Sequence, residues 1–103
     1  MKYSKQIPVI SNKQISSDVW QLDVQDAQIA AATLPGQFAE LKLATTLSDP
    51  LLRRPISVAD ADQTTGIISF IYRILGSGTM SLTTLRPGEL LDIIAPLGQG
   101  FSA

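Results

Sequence analysis

The spacing of turn-forming residues is the feature that most limits the fold of this sequence. Six short segments rich in β-branched and apolar residues are each closed by turn formers such as Pro35-Gly36 and Pro87-Gly88. This pattern is typical of an all-β sandwich or barrel. A chain of 103 residues buries one modest core, and six strands in an open sheet would leave two long edges exposed. The sequence therefore predicts a small, closed antiparallel barrel.

Alternation of apolar and polar residues locates the strands, most clearly where Trp20, Leu22 and Val24 share one face. The predicted strands are 5–12, 19–25, 37–44, 54–59, 67–74 and 90–95. Because proline cannot donate to a ladder, Pro8 predicts that the first strand lies at a sheet edge. The segment 60–66 is predicted to be a hairpin loop. The only predicted helix spans 79–85, with Thr79 as its N-cap.

Charge and composition exclude several classes of function. Eight basic and nine acidic residues give a net charge of −1, without the broad positive field that binds nucleic acid. The chain has no cysteine and no histidine, so the usual ligands of zinc and haem and the base of common hydrolases are missing. We predict no metal site, no catalytic residue of the chain's own, no nucleic-acid or membrane partner, and a cytoplasmic location.

Positive charge gathers in the sequence "RRPIS", residues 53–57. The guanidinium of Arg54 carries a fixed charge and a planar fork of donors that suits two phosphate oxygens. Pro55 stiffens the backbone, and Ser57 could direct its hydroxyl or its amide at a ligand ring. Structural explanations remain open: arginines at a strand end are usually solvated, and Ser57 could be a small residue facing the barrel interior.

The sequence "IYRILGSGT" is the second candidate. Its glycine turn at 76–78 lets the backbone approach a ligand, and the helix that follows offers unpaired amides from Thr79 onward. Arg73 could supply a second positive charge for a diphosphate. Alternatively, it pairs with Glu89 or Asp92 across the sheet.

Four other polar residues carry weaker signals. Tyr72 could stack on an aromatic ligand or pack in the core with its hydroxyl on a partner. Gln37 could bind a ligand, but a structural role near the turn is favoured. Asp60 and Asp62 lack a partner base and indicate a turn more often than a metal site.

The ordered segments "PGQF", "LLRRPIS", "IYR", "GSGT" and "APLGQGF" resemble the flavin domain of the ferredoxin reductase superfamily. Within it, the chain is most similar to the branch of electron-transfer subunits of bacterial NAD-dependent (type B) dihydroorotate dehydrogenases. The resemblance covers nearly the whole chain and implies a six-stranded Greek-key barrel that holds FAD. It implies that residues 1–96 form this barrel and that 97–103 begin a linker to an NAD-binding domain outside this sequence.

The resemblance also implies nine cofactor-binding residues: Arg54, Pro55, Ile56, Ser57, Ile71, Tyr72, Arg73, Gly78 and Thr79. Arg54 would hold the FAD diphosphate, Pro55 and Ile56 would line the flavin, and Ser57 would contact its reactive edge. The strand residues 71–73 would run beside the cofactor, and Gly78 and Thr79 would close on its phosphates. Most members of the superfamily carry tyrosine where Ile56 stands, as a stacking platform, and the isoleucine follows the dihydroorotate branch.

The family's electron path extends beyond these 103 residues, which contain no cysteine for an iron-sulfur cluster. The resemblance implies a cluster and an NAD site downstream, and a catalytic dihydroorotate dehydrogenase subunit containing FMN as the partner. Electrons from dihydroorotate would then pass through the cluster and FAD to NAD in pyrimidine biosynthesis. Two alternatives remain: a flavin-free barrel used for protein docking, or the flavin domain of a ferredoxin- or sulfide-linked reductase.

Overall fold

A computed structural model describes residues 2–42 and 53–99 of the protein. Its elements are β1 (Tyr3–Gln14), β2 (Val19–Gln25), α1 (Ala27–Ala32), β3 (Phe38–Lys42), β4 (Arg53–Asp62), β5 (Ile67–Arg73), α2 (Ser77–Leu82) and β6 (Leu90–Leu97). The strands pair antiparallel and close into a barrel in the order β1-β2-β5-β4-β3-β6. Since β3, β4 and β5 are consecutive neighbours and β6 returns beside β3, the barrel is a Greek key. The predicted fold class is confirmed.

The core lies inside the barrel. It is built from the inward-facing residues of the strands, since successive side chains of a strand point to opposite faces. On β2, Leu22 and Val24 are fully buried and Trp20 packs against them. Phe70 of β5 and Leu41 of β3 are among the largest buried side chains. Burial of each such side chain contributes about 1.5–3 kcal/mol to stability. The apolar face of each alternating strand is therefore the face that points into the barrel.

The prediction that Pro8 marks a sheet edge is correct at Pro8 itself but wrong for β1 as a whole, because the two halves of β1 pair on opposite sides. Residues 3–8 pair with β6, and the ladder with β2 begins at Val9. The amide of Val9 donates to Glu89 O at 2.8 Å beside β6. Since backbone groups alternate along a strand, the nitrogen of Pro8 faces the β2 side, one residue before that ladder starts. The proline therefore lies where no donor is required.

The helices differ from the prediction in number and position. Helix α1 was not predicted; it is short and alanine-rich, and the Asp26 carboxylate caps it by accepting from the Ile29 amide at 2.9 Å. Helix α2 begins at Ser77, two residues before the predicted start, and its N-cap is Gly76 rather than Thr79. Within the described ranges, no helix is long and apolar enough to cross a membrane.

The loop between β4 and β5 is shorter than predicted, because β4 continues to Asp62 and the turn occupies only 63–66. Asp60 therefore lies in a strand. Asp62 accepts from the amides of Thr64 and Thr65 at 2.8 and 3.3 Å, which confirms its role in the turn. The predicted strand residues 43–44, the first two residues of "LLRRPIS" and residues 100–103 lie outside the described ranges.

Candidate functional site

A groove opens where β4 and β5 stop pairing with each other. Their ladder runs from Asp62 opposite Ile67 to Val58 opposite Phe70, with an irregularity between Val58 and Asp60. Beyond that point, residues 53–57 of β4 pair with β3, while residues 71–73 of β5 pair with β2. The two strands diverge, and the space between them has a volume of about 370 Å³.

Strand geometry gives this groove a polar floor. The Val58 amide donates to Gln37 O on the β3 side at 3.0 Å, so by alternation the peptide groups of Ser57 and Pro55 face the groove. On the opposite strand, the Ile74 amide donates to Asp18 O beside β2 at 2.8 Å. The peptide groups of residues 71 and 73 then face the groove as well. Pro55 has no amide hydrogen, so its position at an open strand edge leaves no donor unsatisfied.

Among the residues that the structure describes, nine from three segments line the groove: Arg54, Pro55, Ile56, Ser57, Ile71, Tyr72, Arg73, Leu75 and Thr79. Eight of these are among the nine residues predicted from the sequence. The ninth predicted residue, Gly78, lies beside Thr79 in the first turn of α2. Two diverging strands and the first turn of α2 therefore meet in one cleft.

The two adjacent arginines have different environments. Arg53 forms an ion pair with Asp92 at 2.7 Å, and both side chains are about three-quarters buried. Arg54 is exposed on the groove, and its side chain makes no hydrogen bond or ion pair with any residue in 2–42 or 53–99. The suggestion that both are simply solvated is therefore wrong for Arg53, and Arg54 is the guanidinium available to a ligand.

Arg73 lies on the opposite wall and has one weak partner. Its Nε atom is 3.6 Å from the Asp18 carboxylate, and these side chains are 63% and 50% exposed. An exposed pair of this kind contributes less than about 1 kcal/mol. The predicted alternative partners are wrong: Asp92 pairs with Arg53, and Glu89 accepts from the Arg86 amide at 2.7 Å.

Ser57 and Ile56 alternate in their exposure along β4. Ser57 is exposed toward the groove, so the alternative that it faces the barrel interior is wrong. Ile56 is half-buried and packs against the core while it also lines the groove. This strand therefore offers an apolar surface and a hydroxyl within two consecutive residues.

The turn before α2 is closed by Thr79. Its side chain is buried, and its hydroxyl oxygen accepts from the Leu75 amide at 2.7 Å and donates to Gly76 O at 3.4 Å. Gly76 has φ = +115°, a conformation that favours glycine. Thr79 therefore stabilises the turn before α2 and is not the N-cap of the helix. The first amides of α2 lack partners within the helix, as in any α-helix.

Tyr72 belongs to both the core and the groove. It is 3% exposed, and its hydroxyl donates to Asn12 Oδ1 at 3.1 Å. Burial raises the pKa of Tyr72 to about 12. The phenol is therefore protonated at neutral pH, and the core explanation of this residue is correct for its ring.

Sequence reasoning missed Leu75 and Asn12. Leu75 lines the groove and is 68% exposed; an apolar residue beside a glycine turn was the only signal for it. Asn12 contacts Tyr72 from a strand sixty residues away, and no local pattern indicates such a contact. Gln37 has the favoured structural role, since its amide accepts from Leu34 N at 2.7 Å and donates to Gly98 O at 2.9 Å.

Comparison with known proteins bears on this groove. Residues 6–101 match the family described as "Oxidoreductase FAD-binding domain". The electron transfer subunit of dihydroorotate dehydrogenase B (NAD(+)) from Bacillus cereus (strain G9842) is 37% identical over 101 residues, which cover 98% of this chain and 39% of that protein. The corresponding subunit from Bacillus anthracis (strain CDC 684 / NRRL 3495) gives the same identity and coverage. The chain thus spans about two-fifths of the length of these curated relatives.

Solved structures share the fold at lower sequence identity. A NADH-dependent reduced ferredoxin-NADP oxidoreductase superposes with a TM-score of 0.83 at 22% identity, covering 99% of this chain and 36% of that chain. Phthalate dioxygenase reductase gives a TM-score of 0.70 at 17% identity, covering 93% and 30% respectively. The barrel described above is therefore the fold of a module within longer proteins.

Proposed function

Because this chain belongs to the family of oxidoreductase FAD-binding domains, we propose that the groove between β4 and β5 is its FAD site. The observation that carries the proposal is that the divergence of these strands gathers eight of the predicted residues around one cleft. We further propose that the chain is the flavin-binding part of an electron-transfer subunit of an NAD-dependent dihydroorotate dehydrogenase, as in the relatives that it matches.

The residues present fit FAD in both charge and polarity. Arg54 and Arg73 place positive charge on opposite walls, which suits a diphosphate. Open peptide groups at Ser57 and on residues 71 and 73 offer donors and acceptors to the edge of a flat heterocycle. The volume of about 370 Å³ is at the small end of ligand sites. We therefore expect the groove to enclose the ring and diphosphate while the rest of the dinucleotide lies over the surface.

Arg54 is the main diphosphate ligand in this proposal. Its guanidinium has no partner in the described part of the chain, so no existing ion pair opposes phosphate binding. Arg73 adds the second charge after exchanging its weak contact with Asp18. Gly78 and Thr79, in the first turn of α2, would offer backbone amides to the phosphates.

The flavin ring is held by apolar surfaces and oriented by one hydroxyl. Pro55, Ile56 and Ile71 line the walls, and the ring of Tyr72 closes the inner end. The exposed hydroxyl of Ser57 would be the group that contacts the reactive edge of the ring. When bound, FAD supplies the electron-transfer chemistry, and the barrel supplies binding, orientation and electrostatics.

The wider assembly extends beyond the residues of this chain. We propose that the cysteine-bound cluster and the NAD-binding domain follow residues 97–103, and that a catalytic dihydroorotate dehydrogenase subunit with FMN is the partner. The relatives' lengths support this, since the chain covers only 39% of each. The cytoplasmic location remains a prediction. Purification of a chain extended past Ala103 tests the assembly: separate flavin and iron-sulfur absorption bands are expected, and their absence contradicts it.

The FAD site is tested by comparing the two adjacent arginines. FAD is titrated into the chain, and the dissociation constant is measured from quenching of the single tryptophan, Trp20, whose strand neighbour Tyr72 lines the groove. Arg54→Ala removes charge-assisted hydrogen bonds worth about 1.5–3 kcal/mol, so FAD binds at least about tenfold more weakly. Arg54→Lys keeps the positive charge but lacks the planar pair of donors. Its FAD dissociation constant is expected to lie between those of the wild type and Arg54→Ala.

Arg53→Ala is the matched control, because it removes an adjacent guanidinium that is already paired with Asp92. It should lower the free energy of unfolding while leaving the FAD dissociation constant within about twofold. Equal weakening by both alanine variants, or by neither, would remove the assignment of Arg54. A wild-type chain that does not bind FAD would favour the flavin-free docking barrel.

A further inference from the structure

Asn12 connects two walls of the groove without lining it. Its side-chain amide donates from Nδ2 to Leu82 O at 2.8 Å and to Leu85 O at 3.1 Å. Its Oδ1 accepts from the Tyr72 hydroxyl at 3.1 Å. One half-buried side chain on β1 is therefore bonded to the C-terminal end of α2 and to the inner end of the β5 wall.

The orientation of this amide follows from its partners. Both of its N–H groups are directed at carbonyl oxygens, and these can only accept. A flipped amide would place Oδ1 against the oxygens of Leu82 and Leu85, and the NH2 group would then meet the Tyr72 hydroxyl. The observed orientation satisfies all three contacts, so the single proton of the hydroxyl is directed at Asn12 and not into the groove.

Helix α2 connects Leu82, which is bonded to Asn12, with Thr79, which lines the groove. Helix α2 has six residues, about 9 Å in length. Its last carbonyl, Leu82 O, accepts from Asn12. Its first turn carries Thr79, whose hydroxyl accepts from the Leu75 amide and which lines the groove. A shift of the helix at one end would therefore move the turn at the other.

We propose that Asn12 is a positioning residue that holds the α2 side and the β5 side of the groove at a fixed separation. The inference rests on the proposed FAD site for its effect on binding. A purely stabilising anchor for α2 would act independently of the Tyr72 hydroxyl. A residue that sets the distance between the two walls acts through that hydroxyl, so the two roles differ in their coupling to Tyr72.

The test combines Asn12→Ala, Tyr72→Phe and the double variant in the 103-residue chain. FAD dissociation constants come from quenching of Trp20 fluorescence, and amide hydrogen exchange is followed at Leu75, whose amide donates to Thr79. Asn12→Ala removes three hydrogen bonds and is expected to weaken FAD binding about tenfold. Exchange at Leu75 should become faster in the absence of FAD.

The coupling decides between the two roles. Tyr72→Phe is expected to weaken FAD binding about threefold, and the double variant should bind no more weakly than Asn12→Ala alone. Fully additive effects would assign Asn12 a purely stabilising role and overturn the inference. Gln25→Ala is the matched control, since its amide also donates to a backbone carbonyl, Thr65 O at 2.8 Å, near the opposite end of β5. It should change neither readout.

Failure of the inference and failure of the FAD site give different results. If the wild type does not bind FAD, the proposed function fails, and unchanged exchange at Leu75 in Asn12→Ala would overturn the positioning role as well. If the wild type binds FAD but Asn12→Ala binds equally well, only the positioning role is overturned. If Asn12→Ala does not fold by circular dichroism, Tyr72→Phe decides alone: unchanged FAD affinity and unchanged exchange at Leu75 overturn the inference.

Discussion

The contact between Asp18 and Arg73 leads to a prediction with an unusual sign: removing a charged side chain should strengthen cofactor binding. Asp18 lies just before β2, with its carboxylate 3.6 Å from Arg73 Nε. In the proposed site, a diphosphate competes with this carboxylate for the same guanidinium. Asp18→Asn removes the competitor and one negative charge beside the groove, while Asp18 O still accepts from the Ile74 amide.

The magnitude follows from exposure and distance. Both side chains are at least half exposed, so their interaction is worth less than about 1 kcal/mol, which limits the gain in FAD affinity to about fivefold. A charge roughly 10 Å from the diphosphate would contribute about 0.4 kcal/mol for each of its two negative charges in water before screening. Screening over about 8 Å at physiological ionic strength reduces that contribution further. At that ionic strength, a gain in FAD affinity well above twofold therefore requires the direct contact with Arg73.

The assay is FAD titration of Asp18→Asn at low and high salt. We expect binding three- to fivefold tighter than wild type at low ionic strength, an estimate of about 0.6–1 kcal/mol, with most of the gain lost in high salt. Asp60→Asn is the control, because it makes the same change in net charge on an exposed residue of β4 outside the groove lining. Its FAD dissociation constant should stay within about twofold of the wild-type value. In an Arg73→Ala background, Asp18→Asn should behave like this control. Equal or weaker binding by Asp18→Asn would refute the proposed role of Arg73.

Two other residues give predictions that use different measurements. Ser57→Ala should retain FAD but change the rate of its reduction in the full-length subunit, because a hydroxyl at the groove edge is lost; unchanged stopped-flow kinetics would contradict the role of Ser57. Tyr72, with a pKa of about 12 against an ordinary 10.0, is neutral in both folded and unfolded chains below pH 10. Between pH 10 and 12 the phenol of Tyr72 ionises in the unfolded chain but not in the folded one. The free energy of unfolding should therefore fall by about 2–3 kcal/mol over this range. Urea denaturation of Tyr72→Phe should lack this component, and an identical fall in that variant would show that another group is responsible.

Local patterns predicted the strands well because one physical cause determines both pattern and structure. Strand β2 has the predicted bounds, since a barrel wall buries alternate residues such as Leu22 and Val24. Helix α1 was missed because six residues make too short a window for helical periodicity. Its alanines and the Asp26 cap were the available signals.

Contacts between distant segments could not be derived from local patterns. Nothing near Arg53 in the sequence shows that Asp92 neutralises it, so the difference between the two arginines appeared only in the folded chain. The bond between Asn12 and Tyr72 likewise depends on the order of strands around the barrel. The set of groove residues came from the family resemblance, whereas their separate environments came from the structure.

Proline in a strand has a more specific meaning here than a sheet edge. Pro8 lies where β1 leaves one ladder before joining the next, and Pro55 lies where β4 has left β5. In both places alternation turns the ring nitrogen toward a side on which no partner strand continues, so the missing amide hydrogen costs nothing. At Pro8 the gap spans residues 3–8 and closes at Val9, where pairing with β2 begins. At Pro55 it stays open through the rest of the described strand and becomes the groove, so the proline of "RRPIS" marks the break in the barrel from which the proposed cofactor site is formed.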